Sequence, residues 1–315
     1  MKKFISCDWG TTSFRLRLIE ASTKNILAET KSAQGIAATY ALWKEQAVAD
    51  RVLFYTGIIL QQIVVLEKQC GYSLDDITIV ISGMASATIG MVELPYKFIP
   101  LQIDNADFQT HVIAATEICR HTIVIISGVR SANDVMRGEE TMLAGCSVAD
   151  IEGQQLFIFP GTHSKHVVVQ NGILKDFKTY MTGEIFDLLI SKSILSASVE
   201  NDSAATQNNT AFKNGVAENR GSNILNTIFH VRTNQLFGVA DKNENYLYLS
   251  GLLIGEELKN VPTDNYASVT IVASGALLSL YAEALSILSF KENVQFVNAD
   301  EALINGQALV FNLYK

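Results

Sequence analysis

The stretch DWGTTSFR, residues 8–15, lies between two runs that alternate like β-strands, residues 3–7 and 14–20. A tight turn of glycine and threonine exposes backbone N–H groups and hydroxyls, which suit a polyphosphate. Asp8 ends the first strand, where a carboxylate suits magnesium; the competing interpretation is an Asx-turn residue. The stretch therefore predicts a metal ligand and a set of phosphate-binding residues: Asp8 for the metal, and Gly10, Thr11, Thr12 and Ser13 for phosphate.

A second turn of the same kind lies in the other half of the chain. The sequence PGTHSKH, residues 160–166, also joins two strand-like runs, and an Asn-Gly hairpin turn follows it. When Gly161 is placed on Gly10, threonine falls on threonine and serine on serine. A pair of ordinary hairpin turns is the alternative. The second turn predicts four further phosphate-binding residues: Gly161, Thr162, His163 and Lys165.

Composition narrows the class of protein. The chain has 315 residues, of which 48% are hydrophobic and 18% charged, so we expect an ordered protein of two domains. The net charge is −8 and no basic run is present, which argues against a nucleic-acid partner. No apolar window is long enough to span a membrane, and the four cysteines are scattered. These features predict a soluble, cytoplasmic protein with reduced thiols.

Strands alternate with helices along the chain, which predicts an α/β fold. The periodicity predicts helices at residues 42–70, 104–119 and 138–150. A polar stretch at residues 196–209 predicts a surface loop or lid. Ser274 and Gly275 stand between a buried strand and a helix N-terminus, where we expect the nucleotide to rest unless the pair is only a structural turn.

Residues 129–141, VRSANDVMRGEET, concentrate charge beside a buried strand. A carboxylate here could accept the proton of a sugar hydroxyl, and Arg130 or Arg137 could bind an anionic group. Helix-capping electrostatics is the alternative for Glu139 and Glu140. The small residues at 82–87, SGMASA, form either a plain turn or a loop that admits a ligand.

Taken together, these motifs resemble the 2-dehydro-3-deoxygalactonokinase family, within the actin, sugar-kinase and heat-shock-ATPase superfamily. The matching pieces are DWGTTSFR at 8–15, VMRGEET at 135–141, PGTHSKH at 160–166, MTGE at 181–184 and LSGLLIG at 249–255. The resemblance implies two ribonuclease-H-like domains with mixed sheets flanked by helices and an ATP cleft between them. We expect these domains at residues 1–135 and 136–315, with the final helix able to pack back on the first.

The resemblance also implies an activity. It is the ATP-dependent and magnesium-dependent phosphorylation of 2-dehydro-3-deoxy-D-galactonate on its terminal hydroxyl, giving the 6-phosphate, in galactonate catabolism. An ATP-binding sensor and a polyphosphate phosphatase of the same fold are the alternatives. The expected partners are ATP and the sugar acid, without nucleic acid or membrane. Homodimerisation and the choice between galacto and gluco epimers stay open.

Superfamily kinases generally place an aspartate at the start of the helix that follows the first domain, and here Gly138-Glu139-Glu140 occupies that place. We therefore prefer Glu139 as the base and keep Asp134 as the alternative. The remaining predicted roles are catalytic for Arg137 and substrate-binding for Arg15, Met84, Ser86 and Arg130.

Overall fold

Three antiparallel strands open the chain, as the alternating pattern predicts. In the computed structural model they are β1 (Lys3–Trp9), β2 (Phe14–Glu20) and β3 (Ile26–Ser32). The register pairs Asp8 with Arg15 and Trp9 with Phe14, so DWGTTSFR forms the connection between β1 and β2. The structure describes residues 2–46, 48–103, 107–148, 152–201, 210–218, 221–261, 265–290 and 293–314.

The rest of the first half alternates helices with short strands. These elements are α1 (Ile36–Gln46), α2 (Arg51–Cys70), β4 (Ile79–Gly83), β5 (Lys97–Phe98), β6 (Leu101–Gln102), β7 (Thr110–Ile113), β8 (Ile123–Ile126), β9 (Val129–Arg130), β10 (Val135–Met136) and α3 (Glu139–Gly145). Strands β4 and β8 run parallel to β1, and the main sheet has the order β3-β2-β1-β4-β8-β7. Strands β5, β9 and β10 form a separate small sheet.

All three predicted helices differ from those observed. The helix expected at 138–150 is α3, which ends at Gly145 because Cys146 takes an extended conformation. The helix expected at 104–119 is wrong for the described residues 107–119, which contain strand β7; its backbone hydrogen bonds go to β8 instead of to its own preceding turn. The helix expected at 42–70 begins at Arg51, because Asp50 accepts a hydrogen bond from the Leu53 N–H at 2.9 Å and caps the helix there. Local periodicity predicted the apolar face of α2 but not where the helix begins.

The second half begins with another meander. Its elements are β11 (Gln154–Phe159), β12 (Ser164–Gln170), β13 (Ile173–Tyr180), α4 (Thr182–Lys192), α5 (Thr210–Glu218), α6 (Ile224–Thr227), α7 (His230–Leu236), α8 (Lys242–Leu258), β14 (Tyr266–Ala273), α9 (Ala276–Ile287), β15 (Val294–Asn298) and α10 (Ala299–Leu313). Strands β14 and β15 run parallel to β11. Of the predicted polar loop at 196–209, residues 202–209 lie outside the described residues.

The two main sheets have one topology. The first runs β3-β2-β1-β4-β8, and the second runs β13-β12-β11-β14-β15, so each places its meander beside two parallel strands in the same order. Each sheet contains a strand whose residues are nearly all buried and mostly apolar, β4 in the first sheet and β11 in the second. Each sheet is thus the mixed, helix-flanked sheet of a ribonuclease-H-like fold, as predicted.

Close packing divides the chain into two compact units. The first contains Met1–Asp150, Gly172–Asp176 and Ala299–Lys315, and the second contains Ile151–Asn171 and Phe177–Asn298. This grouping differs from the predicted division after residue 135, because α3 packs on α10 within the first unit. A Cβ atom at Gly145 would stand only 1.7 Å from the Ala302 carbonyl oxygen, so only glycine permits this approach.

No helix in the described part of the chain is both long and apolar enough to cross a membrane.

Candidate active site

The first glycine–threonine turn is fixed by the start of α1. The Gly10 N–H donates to the Ser13 carbonyl at 2.9 Å, and the Ala37 N–H donates to the Thr11 carbonyl at 3.1 Å. Gly35 lies directly behind the turn, where a Cβ atom would stand 2.4 Å from the Thr11 carbonyl oxygen. Backbone bonds thus hold the turn, while its three hydroxyl side chains are exposed: Thr11, Thr12 and Ser13.

The second turn is likewise backed by the start of a helix, but its glycine N–H donates to a side chain. The Gly161 N–H donates to Ser164 Oγ at 3.3 Å, and the Glu184 N–H, at the start of α4, donates to the Thr162 carbonyl at 3.0 Å. Gly183 lies behind this turn, where a Cβ atom would stand 2.6 Å from the Gly161 carbonyl oxygen. The likeness that the sequence indicated therefore extends to the helix that backs each turn.

Several predicted phosphate-binding groups have partners within these turns. The N–H groups of Gly10 and Gly161 are used internally, as described above. Lys165 is buried, and its Nζ donates to the His163 carbonyl at 2.8 Å. The His163 ring pairs with the Glu184 carboxylate. The exposed hydroxyls of the turns are thus the groups best placed to meet phosphate, and the roles of Lys165 and His163 there stay predictions.

Asp8 lies partly buried at the end of β1, beside Arg15 on β2 and Ser82 on β4. Burial raises its pKa above the ordinary value, Arg15 and Arg17 oppose the rise, and the charges of Asp300 and Glu139 add to it. The donor set suits magnesium, which takes one or two carboxylates and completes its shell with water and phosphate oxygens. Among the described residues, no group of three or more His, Cys, Asp or Glu is placed to hold a metal.

Arg15, a predicted substrate-binding residue, pairs with Asp300 in the first turn of α10. Arg17 is fully buried and also contacts Asp300, from Nη2 to Oδ1 at 2.8 Å, while its Nε donates to Glu29 at 2.6 Å. Burial tends to raise the pKa of Asp300, but the two arginines outweigh burial and lower it. Sequence reasoning missed Asp300, because it stands 285 residues from Arg15 in the chain.

The start of α3 approaches the end of β4. Gly138, with φ of +112°, lies against Gly83, where a Cβ atom at Gly138 would stand 3.6 Å from the Gly83 Cα. The Arg137 N–H donates to Glu139 Oε2 at 3.1 Å, and the Gly138 N–H donates to Glu140 Oε2 at 2.7 Å. The Glu139 carboxylate is close enough to Asp8 to influence its pKa. The segment thus presents an acidic group beside the predicted metal ligand.

The two acidic neighbours of Glu139 have other surroundings. Glu140 is buried, and burial, followed by the charge of Glu139, raises its pKa to about 7. Asp134 lies in the turn between β9 and β10, where its Oδ1 accepts from the Val135 N–H at 2.7 Å. Neither Glu139 nor Glu140 caps α3, whose N-cap Gly138 has no side-chain hydrogen bond; their carboxylates accept instead from the backbone N–H groups that precede the helix.

A cavity of about 530 Å³ opens beside the loop that follows β4. Arg137 lies over the Tyr96 ring, with its Cζ 4.2 Å from the ring centroid, and donates from Nη1 to Ser86 Oγ. Its Nε is buried and has no hydrogen-bond partner among the described residues. The other residues that line the cavity are Met84, Ala87, Thr88, Ile89, Glu93, Leu94, Pro95 and Tyr96.

The predicted arginines thus differ in what they contact. Arg130 stacks on Phe98, with its Cζ 4.5 Å from the ring centroid, and its Nε donates to the Ser131 carbonyl at 3.2 Å. Arg15 is paired with Asp300. Arg137 is the predicted arginine that lines the cavity, together with Met84 and next to Ser86.

Ser274 and Gly275 stand at the junction of β14 and α9, as predicted. Gly275 has φ of +62° and is exposed, and, apart from its two chain neighbours, no heavy atom of the described residues lies within 4 Å of the position its Cβ would take. Ser274 Oγ donates to Asn298 Oδ1 at 3.4 Å. The junction has room for a ligand against its backbone.

Paired ribonuclease-H-like sheets, each with a glycine–threonine turn backed by a helix, define an ATP-using protein of the actin-like and sugar-kinase fold class. Within that class, the chain belongs to the 2-keto-3-deoxy-galactonokinase family, whose model matches residues 8–310. Members of this family are phosphotransferases with an alcohol group as acceptor.

Individual relatives agree with the family match. The chain is 33% identical to a Rhizobium meliloti (strain 1021) protein named probable 2-dehydro-3-deoxygalactonokinase DgoK1, over 96% of this chain and 94% of that protein. It is 28% identical to the 2-dehydro-3-deoxygalactonokinase of Escherichia coli (strain K12), over 91% of this chain and 90% of that protein.

Solved structures show the same fold. One is the crystal structure of a Sinorhizobium meliloti protein described as a putative 2-dehydro-3-deoxygalactonokinase. It superposes with a TM-score of 0.82 at 30% identity, over 99% of this chain and 97% of the other. The activator of the 2-hydroxyisocaproyl-CoA dehydratase from Clostridium difficile superposes with a TM-score of 0.50 at 12% identity, over 99% and 95%, which shows the fold alone.

Proposed function

We propose that this protein transfers the γ-phosphoryl group of ATP to the terminal hydroxyl of 2-dehydro-3-deoxy-D-galactonate. The family match over residues 8–310 supports a kinase over a sensor or a phosphatase. In the reaction, the substrate oxygen forms a bond to the γ-phosphorus, the bond to the ADP oxygen breaks, and the hydroxyl proton passes to a protein carboxylate. The products are the 6-phosphate of the sugar acid and ADP.

The observation that carries the proposal is Arg137 in the cavity beside the loop after β4. A sugar acid brings a carboxylate, and Arg137 offers a guanidinium that Tyr96 and Ser86 hold in place, with Nε still unpaired among the described residues. Glu93 also lines this cavity and supplies an acceptor for sugar hydroxyls. We assign Arg137 to the substrate carboxylate, and Met84 and Ser86 to the walls that support it.

Glu139 is our candidate for the general base, because its charge acts on Asp8 while Asp134 is held in a hairpin turn. Asp8 would hold magnesium, which supplies positive charge to the phosphate oxygens when bound. The exposed hydroxyls of Thr11, Thr12 and Thr162 would donate to phosphate oxygens. Ser274 and Gly275 would border the nucleotide.

The decisive experiment measures ADP release with ATP and a panel of sugar acids. We expect release that depends on 2-dehydro-3-deoxygalactonate and exceeds release with its gluco epimer. Activity with the gluco epimer alone would overturn the choice of substrate. ATP binding without acceptor-dependent ADP release would favour a sensor, and phosphate release without any sugar acid would favour a phosphatase. Because ATP and the sugar acid are intracellular metabolites, we propose a cytoplasmic location.

A further inference from the structure

A buried carboxylate lies at the centre of four elements of the second unit. Glu257, near the end of α8, has a side chain that is 1% exposed. It accepts hydrogen bonds from Tyr281 Oη at 2.7 Å and from Thr182 Oγ1, and His166 Nε2 lies 2.9 Å from its Oε1. These partners belong to α9, the start of α4 and β12. Three polar groups thus converge on one carboxylate away from water, which is the arrangement that makes a buried acid structurally stable.

One of these bonds leads from Glu257 to the second glycine–threonine turn. A phenol has a single proton, so Tyr281, which donates to Glu257, accepts at Oη from Ser164 Oγ, 3.0 Å away. Burial and the Glu257 charge raise the pKa of Tyr281 well above its ordinary value, which keeps it a neutral donor. Ser164 Oγ in turn accepts from the Gly161 N–H at 3.3 Å. The proton of each hydroxyl therefore points towards Glu257.

A second bond from Glu257 fixes the helix behind the turn. Thr182, its donor, is the first residue of α4, and the Glu184 N–H of that helix holds the Thr162 carbonyl. Gly183 between them leaves no space for a side chain against the turn. Both routes from Glu257, through Tyr281 and through Thr182, end on the backbone of residues 161–164. The first turn, in contrast, closes with a backbone bond from Gly10 to Ser13.

We propose that Glu257 is a positioning residue that holds the 161–164 turn in its nucleotide-binding shape through Tyr281 and Thr182. The inference rests on the proposed function for the assignment of this turn to ATP phosphates. Glu257 acts from beneath the turn, and its burial keeps it out of contact with ligand. Loss of the relay frees the Ser164 hydroxyl and the Gly161 N–H to adopt other geometries, so the cost falls on ATP binding and leaves sugar-acid binding unchanged.

The test compares two tyrosines that differ in whether they reach the turn. Tyr281→Phe removes the hydroxyl between Ser164 and Glu257. Tyr248→Phe is the matched control, because Tyr248 is also buried and also donates to a glutamate, Glu218, in the same unit. For both variants we would measure the melting temperature, the Kd for ATP by calorimetry, and KM for each substrate.

We expect Tyr281→Phe to raise the Kd and KM for ATP by about fivefold, with KM for the sugar acid unchanged, because one buried hydrogen bond is lost. Tyr248→Phe should lower the melting temperature about as much as Tyr281→Phe does, because each loses one hydrogen bond to a glutamate. It should leave the Kd for ATP at the wild-type value. Glu257→Gln should weaken ATP binding further, since one amide cannot accept from all the converging donors. Adding Tyr281→Phe to it should then change little.

Equal ATP affinity in the two tyrosine variants would overturn the inference and mean that the network only stabilises the fold. A rise in KM for the sugar acid equal to the rise in KM for ATP would also overturn it. Failure of the proposed function gives a different result. A wild-type protein that binds no ATP would remove the nucleotide assignment itself. A wild-type protein that binds ATP but phosphorylates no sugar acid would refute the proposed substrate. The Kd values of the variants for ATP would still test the role of Glu257.

Discussion

Asp8 and Glu139 lie close enough for their carboxylates to interact: burial raises the pKa of Asp8, and the negative charge of Glu139 adds to the rise. Asp8 is the last residue but one of β1 and Glu139 begins α3, so the first unit brings the predicted metal ligand and the preferred base into one neighbourhood. Two neighbouring carboxylates are tolerated there because Arg15 and Arg17 supply positive charge. A magnesium ion would relieve the same repulsion.

Asp8→Asn should greatly reduce turnover without loss of the fold. Since the pKa of Asp8 is raised, its ionised form is disfavoured in the folded protein, and a neutral amide removes that cost. We therefore expect a fall in kcat of about a hundredfold or more, with a melting temperature equal to or above that of the wild type. The exposed Asp176→Asn is the control and should change neither quantity. Near-normal turnover of Asp8→Asn would remove the metal assignment.

Glu139→Gln and Asp134→Asn separate the two candidate bases. Loss of a general base typically costs between about a hundredfold and ten-thousandfold in kcat. We expect this loss for Glu139→Gln, with KM for ATP changed much less, and activity near the wild-type level for Asp134→Asn. Steady-state kinetics on both variants provide the comparison. If Asp134→Asn proved to be the inactive one, the base assignment would be reversed.

Arg137→Lys should weaken binding of the sugar acid selectively. Lysine keeps the charge but loses the planar guanidinium that lies over Tyr96 and donates to Ser86. We expect KM for the sugar acid to rise roughly tenfold or more and KM for ATP to stay constant. Arg130→Lys is a matched control, because Arg130 also stacks on an aromatic ring, that of Phe98. Equal effects of the two substitutions would contradict the role given to Arg137.

Glu140 should make folding stability depend on pH. Burial raises its pKa from 4.5 to about 7, so the folded protein holds this proton more tightly than the unfolded chain. The resulting stabilisation is complete below about pH 4.5 and is lost as the pH rises through about 7. Glu140→Gln stays neutral throughout. Its free energy of unfolding relative to the wild type should therefore rise by on the order of 2 kcal/mol between pH 5 and pH 8.

Urea unfolding of both proteins at the two pH values measures this change, with the exposed Glu152→Gln as a control that should show none. A constant difference between Glu140→Gln and the wild type across this range would mean that Glu140 titrates at its ordinary value.

Much of the fold was predictable, because the alternating pattern of strands and the residues of tight turns are local features of the sequence. The two meanders, the matched Gly-Thr turns and the Ser274-Gly275 junction were all found this way. The helix predicted at 104–119 failed for the opposite reason: strand β7 exists because β8 offers it a partner, and pairing between distant segments leaves little trace in local periodicity.

The sequence by itself determined which chemical groups this protein carries. They are a carboxylate before a glycine–threonine turn, a second glycine–threonine turn later in the chain, and a charged segment rich in arginine and glutamate. The tertiary structure alone decided which of these groups have partners. It paired Arg15 with Asp300, turned the Gly161 N–H onto Ser164, and left Arg137 lining a cavity. The reason is that burial and hydrogen bonding depend on residues far apart in the chain, so a residue's type is local information and its surroundings are not.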